Sequence, residues 1–142
     1  MKDCVFCRVL DGTEPGSFIY RDDHLAAFMT IQPVNPGHVL VVPVAHADNL
    51  EELGESGSAE VMALAHRIAG AIRIADLKCE GVNLWLSDGR AAGQAVPHFH
   101  LHIFPRYRGD GFGFQFGPDY TDLPPREELD RVAHLLAASF DG

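Results

Sequence analysis

Runs of apolar residues divide the chain into a small set of elements. Phe18, Ile19 and Tyr20 favour a pleated, half-buried strand, and Ala26 to Ile31 is a second apolar run. The polar Arg21-Asp22-Asp23-His24 between them supplies a turn, so residues 17–31 are predicted as a hairpin. The connection 32–37, QPVNPG, is punctuated by two prolines and a glycine. HVLVVPV at 38–44 is almost unbroken, as expected of a buried central strand with Pro43 at its end. The period then changes. Val61, Leu64, Ala65, Ile68 and Ile72 recur at helical spacing and predict a long helix over 58–77. Glu60 suits the start of its dipole, and Arg73 and Lys78 suit the end. GVNLWL at 81–86 is another strand, and Leu129, Val132, Leu136 and Phe140 give one face of a short C-terminal helix. Strands, a helix, strands and a helix in that order specify an α+β fold with a mostly antiparallel sheet. No repeat or linker divides residues 1–142, so one domain is expected.

One stretch has the strand period with unusual chemistry. In GQAVPHFHLHIFPR, residues 93–106, His98, His100 and His102 alternate with Phe99, Leu101 and Ile103. On a strand such residues fall on opposite faces, which sets three imidazoles in a row about 6.6 Å apart. The other face is apolar and can anchor the strand, and Pro105, lacking an N–H, is expected to end its regular pairing. A row of titratable rings is an expensive way to fill a core. An imidazole can act as nucleophile, general acid or base, or metal ligand. The preceding loop narrows this choice. Gly93 lets backbone N–H groups come close to an anion, and Gln94 adds an amide donor. Histidines beside an N–H-lined loop suit phosphorus chemistry, where equatorial oxygens must be neutralised and an attacking atom aligned.

The net charge of -9 argues against a sequence-independent grip on nucleic-acid backbone. No apolar run approaches the ~20 residues of a membrane-spanning helix. MKDCVFCRVL lacks the apolar core of a secretory signal, so a cytoplasmic location is expected. Cys4 and Cys7 form a C-x-x-C, and Cys79 stands alone as a small residue near a helix end. In a reducing compartment the pair is a redox motif or half of a zinc site. The zinc reading needs two more ligands, and His46, just after the 38–44 strand, is either one of them or a plain loop residue.

His98-Phe99-His100-Leu101-His102-Ile103-Phe104 resembles the signature of the histidine triad family, three histidines alternating with apolar residues. CVFC, PGHVLVVP at 36–43, AGQAV at 92–96, PRY at 105–107 and GDGFG at 109–113 are similar to its bacterial nucleotide-binding branch. The resemblance implies a five-stranded antiparallel sheet with one long helix and a C-terminal helix, paired as a homodimer. It implies hydrolysis or transfer at the α-phosphate of a nucleotide conjugate, of AMP or GMP type. His100 would be the nucleophile, and His102 would contact the phosphate and assist the leaving group. Gly93, Gln94 and Ala95 would hold phosphate oxygens, and Thr30, Ile31 and Ser87 would face the nucleoside. A structural zinc would be bound by Cys4, Cys7, His46 and His98. A nucleotide-binding regulatory dimer with little turnover is the alternative. Where the family usually has Asp or Asn, Thr30 stands; Ser87 replaces a common Asn or Gln, and Ala95 a common Ser or Thr. The catalytic histidines are retained while the grip on substrate is thinner.

Overall fold

Five strands form one antiparallel sheet: β1 (Phe18–Arg21), β2 (Leu25–Met29), β3 (Val39–Pro43), β4 (Gly81–Leu86) and β5 (Leu101–Arg106). Their order across the sheet is β1-β2-β3-β5-β4, so the apolar run at 38–44 is central and β3 is buried along its whole length. These coordinates come from a computed structural model that describes residues 3–140. Contacts group the chain into two compact units, one ending at Gly111 and the other starting at Phe112.

Strand alternation in the first unit supplies two apolar faces. Leu25, Ala27, Val39, Val41, Leu101 and Ile103 meet Val61, Leu64, Ala65, Ile68 and Ile72 of helix α2 (Leu50–Ile74). The opposite face presents Ala26, Phe28, Leu40 and Val42 to Phe6, Val9 and Leu10 of helix α1 (Val5–Asp11). Burying such side chains contributes roughly 1.5–3 kcal/mol each. No element is expected for residues 5–11 from the sequence. A helix forms there because the Cys4 side chain caps its start and Gly12, at φ 85°, closes its end.

Two further boundaries differ from expectation. The long helix starts at Leu50, not near Ser58, because Asn49 accepts from the Glu52 N–H and Glu52 reaches back to the Asp48 N–H. The first bond caps the helix, and the second ties the residue before the cap back to the first turn. Gly54, at φ 78°, then kinks the helix, which hides its first turn from a periodicity count. Pro105 does not end its strand. Pairing with β3 stops at Ile103, while pairing with β4 continues to Arg106. The Pro105 carbonyl accepts from Asn35 on the side away from β4, so the missing N–H interrupts no ladder bond.

In the second unit, residues 112–125 hold no helix or strand, and helix α3 spans Arg126–Ser139. Phe116 and Tyr120 stack with ring centroids 3.8 Å apart. The helix carries Leu129, Val132 and Leu136 as predicted, all solvent-exposed.

Candidate functional site: two histidine clusters at the edge of β5

The three histidines do not share one regular strand. The β5 ladder begins at Leu101, and His98 lies in a bend before it. The alternation of faces still holds: Phe99 points into the α2 core, while the Phe6 ring packs edge-on against both His98 and His100. His100 and His102 have ring centroids 5.0 Å apart, closer than a flat strand would put them.

His98 belongs to a closed cluster with Cys4, Cys7 and His46, whose candidate ligand atoms all lie within 4.8 Å of one another. His98 Nδ1 is 3.3 Å from Cys4 Sγ, 3.6 Å from Cys7 Sγ and 3.1 Å from His46 Nδ1. Cys7 Sγ is 3.3 Å from His46 Nδ1. Ligand atoms around a tetrahedral zinc, with bonds of about 2.0–2.3 Å, sit roughly 3.3–3.8 Å apart. The cluster therefore has the size and donor set of a Cys2His2 site. Its far nitrogens are taken as well: His46 Nε2 donates to Asp48, and His98 Nε2 to the Pro43 carbonyl at 2.9 Å. Such partners orient ligand rings at metal sites. Burial, the hydrogen bond with Cys4 and the charge of Cys4 push the Cys7 thiol up to about 11. A dication would reverse that preference.

The second cluster is open. His100 Nδ1 donates to the His98 carbonyl at 2.8 Å, which leaves Nε2 with its lone pair. His102 Nδ1 lies 2.9 Å from Nε2 of His38. His38 Nδ1 accepts from the Val34 N–H at 3.0 Å, so His38 carries its proton on Nε2 and donates it to His102. By that assignment His102 Nδ1 is an acceptor and His102 Nε2 bears a proton. Burial holds His38 down to about 4, and burial together with the neighbouring His100 and His38 holds His102 down to about 4. Burial also lowers His100. All three rings are neutral at pH 7, and the adjacent nitrogens offered by His100 and His102 are one lone pair and one N–H.

These rings border a cleft of about 590 Å³. Thr30, Ile31, His100 and His102 line it as the sequence suggests, with Phe6, Phe28 and Val96 as apolar walls and Glu14 among its polar residues. Ser87, Gly93, Gln94 and Ala95 are not among its lining residues. Ser87 Oγ accepts from Trp85 Nε1. Gln94 is turned into the chain: its amide donates to the Asp48 and Val96 carbonyls at 2.6 and 3.0 Å, and its oxygen accepts from the Gly89 N–H at 2.8 Å. It braces the loop instead of presenting a free donor. Gly93 and Gln94 N–H groups close a short turn on Arg90 and Gly89. Ala95 and Val96 N–H groups make no hydrogen bond among the described residues, and only Pro97 separates them from His98. Thr30 Oγ1 accepts from the Gln32 N–H at 3.2 Å.

Sequence reasoning missed His38 and the walls supplied by α1. His38 opens an apolar run that reads as a strand, and only its register could have revealed it. Leu40 pairs with His102, so His38, two residues before it, lies on the same face.

Known proteins are similar to this chain in sequence and fold. The sequence model of the HIT domain matches residues 11–109. A HIT family protein from Bacillus anthracis superposes with a TM-score of 0.87 at 35% identity, over 98% of both chains. A Zn-bound histidine triad family protein from Mycobacterium smegmatis is 36% identical, with a TM-score of 0.75 over 96% of this chain and 98% of that one. The adenylylsulfatase HINT3 of Arabidopsis thaliana is 35% identical over 109 residues, 77% of this chain and 55% of that protein. Sequence and fold agree: the chain belongs to the histidine triad (HIT) family.

Proposed function

We propose that the protein hydrolyses, or transfers a nucleotidyl group from, a nucleotide conjugate through a covalent intermediate on His100. The observation that carries this reading is the hydrogen bond from His100 Nδ1 to the His98 carbonyl, which aims an unprotonated Nε2 outward beside a second ring's N–H. Attack forms the Nε2–P bond and breaks the bond from the α-phosphorus to the leaving atom, which departs with the bonding pair. His102 Nε2–H meets the charge that develops there, and the Ala95 and Val96 N–H groups meet the phosphate oxygens. Water then attacks the same phosphorus, the P–Nε2 bond breaks and the mononucleotide leaves. Over both steps one water is consumed, its oxygen ending on phosphorus and one hydrogen on the leaving group. Dividing one displacement in two is the ordinary advantage of a positioned nucleophile. The apolar cleft walls suit a flat base, and the name of the Arabidopsis relative puts sulfate among the leaving groups to test.

Zinc fits the cluster of Cys4, Cys7, His46 and His98 by its spacing and by its thiol and imidazole donors. Bound there it would tie the start of α1 to the segment that leads into His100, with no open position for substrate. The working unit in this reading is a homodimer, which light scattering would measure directly.

His100→Asn tests the reaction. It is expected to abolish hydrolysis of an adenosine phosphoramidate, a loss of at least about a thousandfold, while the melting temperature changes little. Turnover equal to that of the parent would overturn the mechanism. A regulatory, nucleotide-holding role is favoured by one observation: Gln94 and Ser87 spend their polar groups within the protein. Tight nucleotide binding by a parent protein that turns over no conjugate would select that role.

A further inference from the structure

Asp110 is a carboxylate whose side chain is only 3% exposed, and it does not line the cleft. A buried ion pair is costly unless its geometry is complete. Here it is nearly complete. Arg106 donates to both oxygens, Nε at 2.6 Å and NH2 at 3.0 Å, and its NH1 donates to Asn83 Oδ1. Asp110 Oδ2 also accepts from Asn35 Nδ2 at 2.9 Å and from the Tyr107 N–H.

Asn35 links this pair to the reaction centre. The second bond of its amide nitrogen goes to the Pro105 carbonyl at 2.9 Å. The Asn35 backbone carbonyl accepts from the His38 N–H, which closes the turn that supports His38. Gly37 seats that turn on β5: at φ 103°, a Cβ there would stand 3.2 Å from Pro105 Cγ and 2.9 Å from a Leu77 methyl. Within the same turn the Val34 N–H holds Nδ1 of His38, and Nε2 of His38 holds Nδ1 of His102. The Asp110–Asn35 contact is therefore joined to the His38–His102 ring pair through the backbone of the 34–38 turn.

We propose that Asp110 and Asn35 are positioning residues for the leaving-group step: they fix the 34–38 turn so that His38 keeps the proton of His102 on Nε2. The proposal rests on the reading of His102 given above. Neither residue touches substrate. Their effect is selective, because a nitrophenolate leaving group tolerates loss of the His102 hydrogen bond and a poorly stabilised amine does not.

Asn35→Ala separates this role from folding, since it leaves the Arg106–Asp110 pair in place. Two measurements on the full-length protein are needed. The first is the nitrogen-15 spectrum of the histidine rings, which reports the tautomer of His102 whether or not the protein turns over. The parent is expected to hold the Nε2–H form, and Asn35→Ala to show a mixture with Nδ1–H. The second compares kcat for a nucleoside phosphoramidate with kcat for the corresponding nitrophenyl ester. The variant is expected to lose about tenfold or more on the first and less than about twofold on the second. Asn35→Ser, which keeps a donor, should fall between parent and Ala on both readouts. An unchanged His102 tautomer, or an equal loss on both substrates, would overturn the positioning role. A parent that cleaves neither conjugate would overturn the proposed reaction instead, and the tautomer measurement would still decide the claim about Asn35.

Discussion

His98 and His100 are two residues apart and have opposite fates. Around His98 every ring nitrogen is taken: Nδ1 faces two thiols and a second imidazole, and Nε2 is bonded to the Pro43 carbonyl. Around His100 only Nδ1 is taken, by the His98 carbonyl, and Nε2 remains. The same residue type becomes a brace or a reagent according to how many nitrogens its neighbours leave free. The two clusters are also coupled by that single carbonyl. Whatever orders the His98 backbone also aims the His100 ring.

The comparison can be broken from either side. The largest effect is expected from the closed cluster. Zinc loading followed by chelation, or Cys4→Ala, should cost several kcal/mol of stability, because metal binding at such a site adds directly to folding free energy. The melting temperature should fall by about ten degrees or more, while turnover measured well below that temperature is reduced through the aim of His100 but not abolished. Loss of turnover at full foldedness would instead make the cluster part of the chemistry.

A smaller effect belongs to the open cluster. His38 and His102 titrate near 4 in the fold and near 6.5 when exposed. Between those values the unfolded chain takes up protons that the folded chain refuses, so stability falls as pH drops from about 6.5 and levels off below about 4. His38→Gln should flatten that part of the stability curve. Turnover should fall at a pH below the ordinary imidazole value of 6.5, because burial lowers the His100 nucleophile, and the share set by His38 and His102 should be lost only as pH approaches 4. A profile breaking at 6.5 would show that these rings are less desolvated than the structure has them.

The smallest effect concerns the loop between the clusters. Gln94→Ala removes two donated bonds and one accepted bond from the 89–96 loop, worth about 1 kcal/mol each. It should raise KM for a nucleotide conjugate several-fold through the Ala95 and Val96 N–H groups, with the His100 adduct still formed. An unchanged KM would detach those N–H groups from phosphate binding.

Periodicity was enough for the sheet, since β2, β3 and β4 follow their apolar runs and α2 follows its stripe. It could not show the start of α2, because the Asn49–Glu52 cap precedes a glycine kink that breaks the stripe. Alternation identified the histidines and their faces, yet not the bend at His98 that separates the two clusters. The contribution of α1 was illegible because its anchor is the Cys4 cap and the cluster beyond it, which are contacts across the chain. Gln94 shows the same limit: an amide beside a glycine reads as a free donor until its three partners are seen. His38 and Asp110 lie in segments whose patterns are those of an ordinary strand and an ordinary loop.

The central claim is that His100 Nε2 takes the nucleotidyl group. Acid-quenched protein, caught during turnover of an adenosine phosphoramidate and mapped by peptide mass spectrometry, tests it most directly. The expected result is a nucleotidyl adduct on His100 in the parent that is absent from His100→Asn. Turnover with no adduct at any time, or an adduct on another residue, would contradict it.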